Sequence, residues 1–143
     1  MRRILVPIDP AQPARMRASI EAVVRMCHDE PVHVRLLRVQ PRVSGHVAMF
    51  FDPAELRDLQ LSAGEEDLAD AKKLLDVAGV PYTSMVVIGR SAETIVQTAR
   101  SCNCDRIVFG RDEPSLAGRL FGSLAHQVRQ LLGASVDLQV IGS

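Results

Sequence analysis

No sign of charge dominates this 143-residue chain: seventeen Lys and Arg offset seventeen Asp and Glu. The uniform positive field on which general nucleic-acid binders rely is therefore missing, and no nucleic-acid partner is expected. Cysteine is scarce. Cys27, Cys102 and Cys104 are three in number, a poor disulfide framework that fits a reducing compartment. Long apolar runs are lacking too. The stretch after Met1-Arg2-Arg3 is interrupted by Pro7 and Asp9, too early for a signal peptide or a bilayer span. A cytoplasmic location with no membrane partner is the expectation. No internal repeat or low-complexity tract divides the chain. His28, His33, His46 and His126 share no metal-binding spacing, and Cys102-Asn103-Cys104 has too few ligands nearby to close a metal site. That pair reads as packed or surface thiols, and no metal is expected.

What the chain does contain suits one core. At 15.7 kDa, with 47% hydrophobic residues and a mean hydropathy of +0.08, residues 1–143 are expected to fold as a single domain without staples. The run Arg-Arg-Ile-Leu-Val-Pro-Ile from Arg2 to Ile8 reads as a buried strand. Helix follows from Gln12 to Asp29, with Met16, Ile20, Val23, Val24 and Cys27 on one stripe and Pro13 in its first turn. Val32 to Val39 is a second strand. The segment from Pro41 to Pro53 reads as a loop whose Phe50 and Phe51 dock on the domain itself or on a partner. One helix is expected from Pro53 to Val77, with Leu68, Ala71, Leu75 and Ala78 inward and Gly79 as its stop. Its Glu65, Glu66, Asp67, Lys72 and Lys73 read as a solvated, paired face. Pro81 to Ile88 is a third strand. Ser91 reads as the N-cap of a helix burying Ala92, Ile95, Val96 and Ala99. Asp105 to Gly110 is a fourth strand. After a loop, Ser123 caps a last helix with Leu124, Val128, Leu131 and Leu132 inward. Val136 to Ile141 is the fifth strand.

Strands alternating with helices throughout imply right-handed crossovers. The fold class is therefore α/β, a doubly wound five-stranded parallel sheet with helices on both faces, Rossmann-like in plan. Ligands of such sheets sit outside the carboxyl ends of the strands where the winding reverses. Asp9 and the segment after Gly110 are the strand ends best placed to form that crevice. A phospho-receiver reading fails, because strand three ends in Ile88-Gly89 rather than an aspartate and no lysine follows Lys73. No nucleophile, base and oxyanion donor converge. The chain is not expected to be an enzyme; any nucleotide hydrolysis would be slow and incidental.

Three pieces at strand ends, Val6-Pro7-Ile8-Asp9, Gly89 to Ile95 and Gly110 to Ser123, together resemble the universal stress protein family over essentially the whole chain. The resemblance implies an adenine nucleotide alpha hydrolase-like fold and a homodimer paired through the C-terminal strand, where Val136 to Ile141 has the apolar character to pair at a sheet edge. It also implies a site for ATP or another adenine nucleotide between strands one and four, with Pro7, Asp9, Val39, Gly110, Gly118, Gly122 and Ser123 as its contacts. In nucleotide-binding members the third piece reads Gly, two residues, Gly, nine residues, Gly, then Ser or Thr, with glycine amides on phosphate oxygens. Here Glu113 stands where the second glycine belongs, and eight residues rather than nine separate it from Gly122. A carboxylate there repels phosphate and its side chain blocks close backbone approach. Asp112 adds a second negative group, while Arg111 and Arg119 are placed to offset it or to grip a shorter phosphate tail. Two readings stay open: a stress protein with a degenerate or altered nucleotide site, and one that binds ATP, ADP or AMP. Asp9 also has two readings, a ligand contact or a cap for free backbone amides, and Ser123 is a natural N-cap whether or not phosphate binds.

Overall fold

The computed structural model describes residues 1–110, 123–134 and 137–142. Gly118, Gly122 and the charged residues Arg111, Asp112, Glu113 and Arg119 lie outside them. The sheet has five parallel strands in the order β3-β2-β1-β4-β5. These are β1 (Arg2–Pro7), β2 (Val32–Gln40), β3 (Tyr82–Ile88), β4 (Arg106–Val108) and β5 (Gln139–Ile141). The winding therefore reverses between β1 and β4, as the alternation of elements predicts.

Strand residues alternate between faces, and β1 shows what this achieves. Ile4 and Val6 enter one core with Val34 and Leu36, while Leu5 enters the other with Leu37, Val39 and Ile107. Three helices cover the first face: α1 (Pro13–Asp29), α3 (Pro53–Asp67) and α4 (Ala69–Ala78). The opposite face is covered by α5 (Ser91–Ser101) and α6 (Leu124–Leu132). Within α1 the buried residues Met16, Ile20 and Val23 follow the expected helical spacing. Ala92, Ile95, Val96 and Ala99 do the same in α5.

Several local expectations need correction. The segment 41–52 holds a one-turn helix, α2 (Gly45–Ala48), capped by the Ser44 hydroxyl. It turns Phe50 and Phe51 outward, 73% and 42% exposed, instead of folding them onto their own domain. The expected single helix from Pro53 to Val77 is broken at Leu68, whose N–H is shared between the carbonyls of Gly64 and Glu65, each at 3.2 Å. The break lets two helices follow different supports. Gly64 of α3 lies so close to β3 that an added Cβ would fall 2.4 Å from Val86 Cγ1, whereas α4 packs on α1. Lys72 Nζ and Glu65 Oε2 span the break at 2.9 Å. Ala78 faces solvent, as does Leu131 at 46% exposure. Ser91 is the first helical residue of α5, not its cap; Arg90 holds the cap position without a side-chain bond.

The chain at the end of β4 is positioned by contact with α1. A Cβ on Gly110 would lie 1.9 Å from the Arg15 carbonyl oxygen and 3.0 Å from Ser19 N. Only a bare α-carbon fits there. Gly110→Ala is accordingly expected to destabilise by at least about 2 kcal/mol, since overpacking against backbone has no flexible atom to yield. The melting temperature should drop by about 5 °C or more, while Gly45→Ala, with nothing within 4 Å of its added carbon, should behave as wild type. Equal melting temperatures for the two variants would contradict this account.

Candidate functional site

At the carboxyl ends of β1 and β2, beside the reversal point, lies a cleft with a cavity of about 60 Å³ that opens outward to solvent. Pro7, Ile8 and Asp9 form one wall as the chain leaves β1, and Leu37, Arg38 and Val39 come from β2. Gln12, Arg15 and Met16 enter from the start of α1, Ser91 and Ile95 from α5, Phe109 from the end of β4 and Leu124 from α6. Most of this lining is apolar, with polar groups concentrated on the α1 side. Such a surface can take a flat heterocycle against the aliphatic wall and leave an anionic tail near the cation.

Pro7, Asp9 and Val39, three of the residues expected at the site, thus share one cleft. Gly110 follows Phe109, and its small size is already required by the approach to α1. Ser123 precedes Leu124 and caps α6, its Oγ accepting the His126 N–H at 3.1 Å. Gly118 and Gly122 fall outside the described residues. The capping alternative for Asp9 is realised in modified form. Its Oδ1 accepts the Ala11 N–H at 2.9 Å and its carbonyl oxygen accepts the Gln12 N–H at 3.0 Å. This builds a turn leading into α1, whose own cap position is Gln12. The bond fixes the carboxylate at the mouth of the cleft.

Arg15 is the residue that sequence reasoning missed. It stands at the third helical position of α1, and the first turn of that helix has no acidic residue. A cation at a helix N-terminus opposes the macrodipole, so an arginine there is itself a signal that negative charge is brought nearby. Asp9 supplies part of that charge: burial lowers the Arg15 guanidinium's proton affinity from its ordinary value, and Asp9 works against the shift. Arg38 is held from the other side. Its Nε donates to Asp67 Oδ2 at 3.0 Å and its Nη2 to Gln40 Oε1 at 3.1 Å, tying β2 to α3.

A family model of the universal stress protein family matches residues 1–136. The chain belongs to that family. The universal stress protein from Archaeoglobus fulgidus in complex with dAMP is similar in structure, with a TM-score of 0.67 at 18% identity, covering 99% of this chain and 97% of that one. A family protein from Arabidopsis thaliana with AMP bound gives 0.61 at 17% identity, covering 99% and 92% of the two chains. A universal stress protein in complex with cAMP gives 0.66 at 16% identity, covering 99% and 95%. These likenesses establish the fold. Comparison with curated proteins gives no match. Among the described residues of this stress protein, no group of three metal-binding side chains is found and no helix is long and apolar enough to cross a membrane.

The Ser123 cap yields a prediction that is independent of any ligand. Ser123→Ala should cost about 1 kcal/mol in nucleotide-free protein, as loss of an N-cap does, and Ser123→Asp should retain most of that stability. Urea denaturation of the three proteins measures it. A Ser123→Ala midpoint equal to wild type would show that the cap contributes nothing.

Proposed function

We propose that this protein is a homodimeric stress-response protein that binds an adenine nucleotide with a short phosphate tail in the cleft between β1 and β4, its site altered relative to a triphosphate cradle. The observation that carries this is the convergence of Pro7, Asp9 and Val39 on one apolar cleft with Arg15 at its polar side. Aliphatic side chains from β1 and β2 suit the base, and Asp9, held by the Ala11 N–H, is placed to accept from ribose hydroxyls. Complexes of structurally similar proteins with AMP, dAMP and cAMP support the adenine class. Each of those ligands has a single phosphate. The sequence favours the same limit, because Glu113 and Asp112 would meet the outer phosphates of ATP with like charge. The role is binding; hydrolysis, if any, is incidental.

Thermal-shift titration with AMP, ADP and ATP tests the reading. At one hundred times its Kd a nucleotide stabilises by about 2.7 kcal/mol, a rise of about 5 °C or more for a chain of this size. AMP should reach that shift at lower concentration than ATP, and Glu113→Gly should narrow the gap. Equal shifts with ATP and AMP would favour the second reading, an intact triphosphate site. No shift with any of the three would remove nucleotide binding altogether.

Dimerisation is assigned to β5, which forms one edge of the sheet. Gln139 N–H donates to Asp105 O and Ile141 O accepts the Phe109 N–H, on the residues that flank β4, so the main-chain groups of Val140 between them point to the open edge. Val140→Pro removes the outward donor while sparing the β4 ladder. Sedimentation should show a dimer for the wild type and a monomer for this variant; a wild-type monomer at micromolar concentration would exclude the assignment.

A further inference from the structure

A second concavity opens at the amino ends of the strands, away from the nucleotide cleft. Met1 and Arg3 reach it from β1, His33 and Arg35 from β2, and Cys102 and Cys104 from the turn between α5 and β4. That turn is well defined. Asn103 has φ of 55°, the Asn103 N–H donates to Arg100 O at 3.2 Å, and the Cys104 N–H donates to Ala99 O at 2.8 Å. This is a left-handed helix end of the kind that asparagine tolerates. It turns Cys104 into the core and leaves Cys102 partly exposed.

Positive charge predominates around these thiols: Arg35 and Arg3 act to lower the Cys104 thiol's proton affinity, and Asp105 acts to raise it. Arg3 Nη1 donates to Cys102 O at 3.4 Å, and Arg35 Nη1 lies 3.7 Å from Met85 Sδ. Among the described residues neither guanidinium has a carboxylate within ion-pair distance. The nearby Asp105 is engaged by Arg2 and Arg106, each at 3.8 Å, and Glu30 by Arg2. His33 Nε2 is 3.4 Å from Thr83 Oγ1. A partly exposed cysteine that shares a depression with two arginines, with no carboxylate among the described residues of its lining, is arranged to receive an anionic sulfur reagent.

We propose that Cys102 is a thiolation site that exchanges with low-molecular-weight disulfides bearing carboxylates, which Arg3 and Arg35 hold in place. The Cys102 thiol releases its proton to solvent, and its sulfur attacks one sulfur of the disulfide. The new Sγ–S bond forms as the old S–S bond breaks, and the departing thiolate takes up a proton. Cys102 is thereby oxidised to the mixed disulfide while half of the reagent is reduced to free thiol. Cys104 does not resolve the adduct quickly. Burial, with Cys102 adding to it, pushes its thiol up to about 11, so near neutral pH it has little thiolate with which to attack.

The test treats the intact, reduced protein with glutathione disulfide, which carries carboxylates, or with cystamine, which carries only ammonium groups, and follows adducts by intact-mass spectrometry and peptide mapping. One glutathione adduct on Cys102 is expected, forming about tenfold faster than the cystamine adduct at low salt and losing most of that preference in 1 M salt. Arg35→Gln should remove the preference, and Cys102→Ser should leave Cys27 and Cys104 unmodified over the same period. Equal rates with the two reagents in the wild-type protein, an adduct on Cys27 instead, or conversion to a Cys102–Cys104 disulfide without adduct would overturn the proposal. The wild-type rate ratio decides the matter even if the Arg35 variant does not fold.

Discussion

The chain beyond β4 rests against the first turns of α1 with no room for even one carbon on Gly110. This close approach sets the geometry of the whole reversal point. It sets α1 against the end of β4, and Asp9, Arg15 and Phe109 line the same cleft. Were Gly110 any other residue, its Cβ would collide with the Arg15 carbonyl, and either α1 or the chain after β4 would have to shift. The glycine that the family resemblance assigns to a phosphate loop is thus also a packing residue, and the two demands act on the same atom.

The architecture was legible because its physical signals are strong. Short β-branched runs alternate with amphipathic helices, and that order alone requires parallel strands and a reversal point. Pro7, Asp9 and Val39, which the family resemblance assigns to the site, line one cleft at the strand ends where sheets of this kind bind. Local breaks were harder to read. Leu68 interrupts α3 and α4 although it is a good helix former, because the supports under the two helices differ; tertiary packing overrides propensity there. Phe50 and Phe51 carry no sequence mark that tells an outward turn from an inward one. Arg15 could have been found, since a cation in a helix's first turn with no acid beside it is a local conflict, and such conflicts gather at sites.

The two ends of the sheet differ in chemistry. At the carboxyl ends, an aliphatic cleft ends in a fixed aspartate and a half-buried arginine, a combination suited to a nucleoside and a short anion. At the amino ends, Arg3 and Arg35, with no carboxylate within ion-pair distance among the described residues, share a concavity with Cys102, and burial pushes the neighbouring Cys104 thiol up. The β1 strand joins them: Arg3 lies at its start and Pro7 at its end, with Ile4, Leu5 and Val6 buried between. The buried middle of this strand separates the two ends.

Amide mapping of the labelled protein during AMP addition bears most directly on the proposed nucleotide site. Shifts concentrated at Ile8, Asp9, Val39 and the Gly110 and Leu124 amides, saturating at submillimolar AMP, are the predicted result. Shifts confined to the outer groove along α5, from Arg90 to Ser101, or none at millimolar AMP, would contradict it.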